Sequence, residues 1–239
     1  MLLFAIAEDN ERYARLLQKE VLLIPNSTTI ILAKNGYELL LRLNKAKQLP
    51  TILLLDIEMP KIDGLLITSY LNLKYPSIKI IGVSTHSNKE LAIEVLSEGA
   101  IGFISKHFLQ KESAIYITTH GNKNIFLDSI ESALIGESYI DKLVFNYDGN
   151  ITYSKSTKTN RLDKVPQLNE TLTEFLLLNA AELSFEEIAS IMNKSKASIK
   201  HYSDQLSQLL EVKKRSEIIT YCIKHGLVKL PSYYDKTTS

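Results

Sequence analysis

The sequence predicts an α/β fold, a doubly wound five-stranded parallel sheet, followed by a second, all-α domain. Three observations carry this expectation. In the first half, short apolar runs alternate with segments of helical period. Those runs are apolar nearly throughout, as strands covered on both faces require. Beyond about residue 167 the strand signal stops and only helix-period segments remain.

The strands are expected at Leu2–Ala7, Thr29–Ala33, Thr51–Asp56, Ile78–Val83 and Ile101–Ile104, each short and rich in Ile, Leu or Val. The intervening helices are expected at Glu11–Leu23, Tyr37–Ala46, Leu65–Lys74 and Lys89–Ser97, with a fifth from Ile125 to about Ile135. Between Lys106 and that fifth helix, His107–Asn124 reads as an insertion whose Ala114–Thr119 stretch fits a strand or a helix. Next, Val144–Tyr147 and Asn150–Tyr153 flank Asp148-Gly149 and read as a small hairpin, since Asp-Gly favours a tight primed turn. Ser154–Arg161 is polar and basic and reads as a solvated tether. Thr171–Ala181 opens the helical part. Ser184 with Glu187 three residues on forms a capping box for the next helix, Ser195 caps a third running to about Leu210, and a fourth runs from Ser216 to His225 with Gly226 as its terminator. The expected organisation is a first domain over 1–139 with its insertion at about 107–124, a linker over 140–166, a helical domain over 167–230 and a tail over 231–239.

The 239 residues exceed what one small core needs, and 45% hydrophobic with 23% charged residues marks a globular chain. The formal net charge of +1 gives no global attraction to nucleic acid or membrane, so any basic surface is local. The single cysteine, Cys222, excludes an internal disulfide and reads as a small buried residue on a helix. The start, Met1–Ala7 followed by Glu8-Asp9, lacks the basic lead and long apolar stretch of a secretory signal. No segment approaches a membrane span. A cytoplasmic protein without membrane partners is expected.

Chemistry gathers at the strand ends. Glu8 and Asp9 follow the first strand, Asp56 ends the third, Ser84 and Thr85 follow the fourth, and Lys106 follows the fifth. In a parallel sheet these ends share one edge, where such folds bind ligands. Three clustered carboxylates repel one another unless a cation joins them, and Mg²⁺ suits hard oxygen donors. A nucleophilic carboxylate, Asp56, beside Mg²⁺ and Lys106 suits phosphoryl transfer onto Asp56, with a hydroxyl to bind a phosphoryl oxygen. Singly, each residue has a plain explanation as a helix-capping Asp, a surface Lys or a turn Ser. Together they do not.

These residues resemble the receiver domain of bacterial two-component response regulators, a flavodoxin-like fold. The matching positions are Glu8-Asp9, Asp56-Ile57-Glu58-Met59-Pro60 with Asp63-Gly64, Ser84, Gly99-Ala100, Gly102-Phe103 and Lys106. The resemblance implies that Asp56 is the phosphoacceptor, that Glu8, Asp9, Asp56 and the backbone carbonyl of Glu58 hold the metal, and that Ser84 and Phe103 are the switch pair. It also implies that Lys106 and Ser84 act with Asp56 at the phosphorylation site. Thr85 adjoins the switch position, and the 22-residue step to Lys106 selects Ser84. Receivers catalyse only their own phosphorylation and slow dephosphorylation, so an enzyme in the ordinary sense is not expected. The insertion at 107–124 departs from the family, whose last helix follows the lysine closely.

Residues from about 168 to 230 resemble a LuxR-type helix-turn-helix, as in the NarL subclass. Leu172, Glu174, Leu176 and Leu177 fit its first helix, Leu183–Ala189 its scaffold helix, Ser198-Ile199-Lys200 the start of its recognition helix, and Val212, Arg215 and His225–Val228 its close. Such a motif puts one helix in the major groove of DNA. The expected DNA-contact residues are Lys196, Ser198, Lys200, His201, Gln205, Lys213, Lys214 and Arg215. Lys200 suits a phosphate or guanine and Gln205 an adenine. Exposure of Ser203 and Asp204 is also expected. Three features depart from a DNA-binding pattern. From Gln167 to Leu230, eight basic and eight acidic residues cancel. Tyr202 stands where the family has His, and Glu211 where it has Gly.

The leading expectation is a DNA-binding transcriptional regulator, phosphorylated on Asp56 by a sensor histidine kinase and binding double-stranded DNA as a homodimer when phosphorylated. The alternative is a regulator whose helix-turn-helix binds a protein partner. A third class, a phosphoaspartate hydrolase, would use Glu58 as an acid-base group two residues after the nucleophile.

Overall fold

The computed structural model describes residues 1–86, 88–109, 124–141 and 168–224. These fall into two compact units. Most of the insertion, the hairpin at 144–153, the polar tether, Gly226 and the tail lie outside the described residues.

The first unit alternates strand and helix: β1 (Leu2–Ala7), α1 (Glu11–Leu22), β2 (Ser27–Ala33), α2 (Gly36–Lys45), β3 (Ile52–Asp56), α3 (Gly64–Lys74), β4 (Lys79–Ser84), α4 (Lys89–Ser97), β5 (Gly102–Ser105), α5 (Ile125–Ile135) and β6 (Tyr139–Ile140). The strand order is β2-β1-β3-β4-β5-β6, and every neighbouring pair is parallel. The sheet therefore has six strands rather than the expected five. The sixth forms because α5 ends at Gly136 in the left-handed region (φ 83°), which turns the chain back beside β5. There the Tyr139 N–H donates to Ile101 O at 3.0 Å and the Asp141 N–H to Phe103 O at 2.9 Å. A two-residue strand is too short to leave an apolar period in the sequence.

One face of the sheet packs Phe4, Ile6, Ile52, Leu54, Ile81, Val83 and Ile104 against Leu17 and Val21 of α1 and Phe126, Ile130 and Ala133 of α5. Successive strand residues point to opposite faces, so Phe103 and Gly82 face the other side. A Cβ on Gly82 would press on Val95 of α4 at 3.0 Å and Phe103 at 3.2 Å. Polar caps set where the helices begin: Asn10, Asn35, Asp63, Asn88 and Asn124 each accept a backbone N–H from the first turn that follows. The register aligns the carboxyl ends of the central strands, pairing Ala7 with Leu55, Asp56 with Val83 and Ser84 with Ser105. The strand ends consequently meet at one edge.

The second unit holds α6 (Glu170–Ala180), α7 (Phe185–Met192), α8 (Lys196–Leu209) and α9 (Arg215–Lys224). Ser184 and Glu187 form the expected capping box of α7, and Ser195 caps α8. Asn193 in the left-handed region (φ 51°) makes the turn between them. Phe175, Leu176, Ile188, Ile199, Leu206, Ile218 and Cys222 form the buried interior. Burial pushes the Cys222 thiol up to about 12, in keeping with a packing residue rather than a reactive one. Among the described residues no helix is long and apolar enough to cross a membrane.

Candidate functional site

The carboxyl edge of the first unit brings the expected acidic site together. Glu8 and Asp56 are buried, Asp9 is exposed, and one carboxylate oxygen from each lies within 4.8 Å of the others. Lys106 is buried as well. Its Nζ lies 2.9 Å from Asp56 Oδ2 and 2.8 Å from Glu8 Oε2, and donates to Glu8 Oε1 at 3.0 Å. The ammonium also sits 4.8 Å from the centre of the Tyr13 ring, a contact that sequence reasoning missed because Tyr13 is an ordinary residue of an amphipathic helix.

Burial dominates the electrostatics. It pushes Glu8 up to about 7, with the neighbouring Asp56 charge adding to the rise and Lys106 opposing it. Asp56 is raised too, chiefly by burial and against the pull of Lys106. Burial alone would lower Lys106, but the two carboxylates outweigh it and raise its pKa. Two buried acids and one buried base thus leave an excess of negative charge at this edge. Glu8 Oε2, though close to Lys106, has no aligned hydrogen bond. An all-oxygen set with that shortfall fits a small hard divalent cation.

Local geometry holds Asp56 in place. The Glu58 N–H donates to Asp56 Oδ1 at 3.2 Å. The Gly64 N–H donates to Ile57 O at 2.9 Å, and a Cβ on Gly64 would stand 2.5 Å from Asp56 O. Glycine is therefore required where α3 meets β3. The Glu58 carboxylate is engaged elsewhere, 2.8 Å from His86 Nδ1 and 3.5 Å from Thr85 Oγ1. Ser84 is buried and its Oγ accepts the His86 N–H at 2.9 Å, while Thr85 is exposed. Phe103 is fully buried.

The second unit presents an exposed face on α8 that carries Lys196, Lys200, His201, Asp204 and Gln205. Residues at positions i and i+4 share one side of a helix, so Lys200 lies beside Asp204 and His201 beside Gln205. Ser198 is half-buried, its Oγ 2.9 Å from that of Ser195. Lys196 pairs with Glu186. Lys213 and Lys214 are exposed, and their backbone N–H groups donate to Glu217.

Two expectations need correction. Ser203 is buried, because it falls on the inner side of α8 between Ile199 and Leu206. Arg215 turns inward: its Nε donates to Asn179 Oδ1 at 2.6 Å, its Nη2 donates to Leu183 O, and the guanidinium lies 4.9 Å from the Phe185 ring centre. These contacts tie the start of α9 to α6 and to the start of α7. Tyr202 likewise packs against Phe175, with ring centres 6.2 Å apart.

The sequence matches the family model described as "Response regulator receiver domain" over residues 4–126. Among curated proteins, it is 24% identical over 207 residues to the transcriptional regulatory protein LnrK of Bacillus subtilis, covering 83% of this chain and 86% of that one. It is 25% identical over 199 residues to the response regulator protein VraR of Staphylococcus aureus, covering 82% of this chain and 83% of that one. A solved structure of the Salmonella typhimurium RcsB response regulator, described as showing conformational dynamism for DNA interaction, superposes with a TM-score of 0.51 at 18% identity over 94% of this chain and 100% of that one.

Proposed function

The chain belongs to the response regulator receiver family, and from that premise we propose a DNA-binding transcriptional regulator switched by phosphorylation of Asp56. The observation that carries the reading is the buried triad of Glu8, Asp56 and Lys106 at the carboxyl edge of a parallel sheet. The receiver spans 1–139 in this reading, with Ile140 of β6 and the adjoining Asp141 continuing beside β5. Residues 167–230 are the output domain in this reading, and the chain between them is the linker.

In this reading a sensor histidine kinase supplies the phosphoryl group. An Asp56 carboxylate oxygen attacks phosphorus, and the bond from phosphorus to the donor nitrogen breaks as the acyl phosphate forms. Glu8, Asp9, Asp56 and the backbone carbonyl of Glu58 would hold Mg²⁺, which when bound offsets charge on the transferring group. Lys106, freed from part of its pairing with Asp56, meets a phosphoryl oxygen. The Ser84 O–H donates to another, and Phe103 answers by repacking beside it. The shifted population dimerises and binds two half-sites through α8, with Lys200, His201 and Gln205 toward the bases and Lys196, Ser198, Lys213 and Lys214 toward phosphates. Arg215 is left out of that set. The setting is the cytoplasm, where kinase and DNA both lie.

A protein partner for α8 is the second reading. It is favoured by the Lys196–Glu186 pair and by exposed Asp204 one turn from Lys200, which together leave the face nearly neutral.

The phosphorylation step is tested by incubating the full chain with acetyl phosphate and Mg²⁺ and weighing the intact protein. A single phosphoryl adduct that disappears in Asp56→Asn is expected. No adduct, or one that survives in Asp56→Asn, would refute the proposal.

A further inference from the structure

Asp141 follows β6 and is fully buried, yet no motif in the sequence marks it. Its backbone N–H donates to Phe103 O at 2.9 Å, and its side-chain Oδ2 accepts the Ser105 N–H at 3.1 Å. A strand neighbour ordinarily offers a backbone carbonyl for such a donor. β6 stops at Ile140, which pairs with Phe103. The Asp141 carboxylate continues the ladder one rung further, at the point where β5 hands over to Lys106.

The turn beyond is held from the other side. Ser105 is fully buried, and its Oγ accepts the His107 N–H at 3.3 Å, opening the 3-10 turn Lys106–Leu109. Phe108 of that turn stacks on Phe126 of α5, with ring centres 5.3 Å apart. Lys106 therefore leaves the strand from a backbone anchored on both sides, and from there its ammonium spans Glu8 and Asp56. A carboxylate buried at this place adds no apolar packing, and the hydrogen bonds it makes are what offset its desolvation. A carboxylate also accepts more strongly than a neutral carbonyl. Small displacements of a group that meets the transferring phosphoryl are costly in rate.

We infer that Asp141 is a positioning residue for phosphoryl transfer, fixing the carboxyl end of β5 so that Lys106 meets the phosphoryl group at Asp56. The inference rests on Asp56 being the phosphoacceptor.

The experiment uses the full chain, acetyl phosphate across a range of concentrations, and saturating Mg²⁺, with the phosphorylated fraction read by intact mass. Wild type and Asp56→Asn set the frame. An adduct absent from wild type, or retained in Asp56→Asn, overturns the phosphoacceptor reading and this inference together. With Asp56-dependent phosphorylation established, Asp141→Ala is expected to lower the maximal rate about tenfold, with the half-saturating donor concentration unchanged. Asp141→Asn keeps an oxygen for the Ser105 N–H and is expected to recover most of that rate. Placed on Lys106→Ala, the Asp141→Ala change is expected to add no further loss, since it acts through the lysine. A wild-type rate in Asp141→Ala overturns the inference while leaving the phosphoacceptor reading intact. So do Ala and Asn variants slowed alike in step with their thermal stability, or losses that add on the Lys106→Ala background.

Discussion

Lys106 is the residue on which the first unit's charge balance turns. It is the cation that faces both Glu8 and Asp56 in the acidic site, and all three are buried. Removing one partner of a buried ion pair leaves the other charge uncompensated, at a cost of about 3–5 kcal/mol. Lys106→Ala is therefore expected to destabilise the metal-free protein by about 3 kcal/mol at pH 8. The deficit shrinks at pH 5.5, where Glu8, with its raised value of about 7, takes up a proton, and both values are measurable by urea unfolding. Glu8 carries a second prediction. Its folded value of about 7 stands above its ordinary 4.5, and Asp56 is raised in the same direction. The folded state thus binds more protons than the unfolded state between those limits, so metal-free stability rises as pH falls from about 7.5 toward 5. A cation in the site needs the carboxylates ionised. Mg²⁺ binding is expected to release a proton below pH 7, to weaken as pH falls, and to flatten the stability profile when saturating. Calorimetry in buffers of different ionisation enthalpy measures the proton release. A metal-free stability independent of pH over that window would contradict the burial account.

Among the elements, α9 shows how a motif position is misread without coordinates. Arg215 reads in sequence as one of three adjacent cations, with Lys213 and Lys214. The fold separates them, leaving the lysines exposed and turning the arginine onto Asn179, Leu183 O and the Phe185 ring. Arg215→Ala is expected to cost the helical unit about 2 kcal/mol through the lost hydrogen bonds and ring contact, read as a lower melting temperature. Lys214→Ala is expected to change stability little, which makes it the control. Strands β1 to β5 were legible because each is a largely apolar run of strand length, and their ends differ from expectation by two residues at most. The helix starts were legible at Ser184 and Ser195, whose capping pattern is local. The Asn caps at Asn10, Asn35, Asn88, Asn124 and Asn169 were not read in advance, because Asn serves turns as readily as caps. β6 left no period to read, and with it went Asp141, whose partner Ser105 lies 36 residues away. Burial of Ser203 and of the Arg215 head depends on which side of a helix meets its neighbours, which spacing alone leaves open.

At the scale of the whole molecule, the sheet supplies the proposed phosphorylation site and the helical unit supplies a face. Parallel register made the first legible from sequence, since residues at successive strand ends share an edge wherever the strands are parallel. The second was legible as a motif but not as a charge pattern, because eight acidic residues offset eight basic ones and only the fold decides which face each joins. Lys194, Lys196, Lys200, Lys213 and Lys214 are exposed and offer the proposed phosphate contacts, although Glu186, Asp204, Glu211 and Glu217 are exposed among them. Binding through such contacts weakens as salt rises, by counterion release. The most direct test of a phosphorylation-switched DNA regulator is binding of the full chain to a pool of its own genomic fragments, with and without beryllofluoride and Mg²⁺, at two salt concentrations. The account predicts fragment-selective, salt-sensitive binding that strengthens with beryllofluoride and is lost in Lys200→Ala. Folded protein that selects no fragment in either state would contradict it and assign α8 to a protein partner.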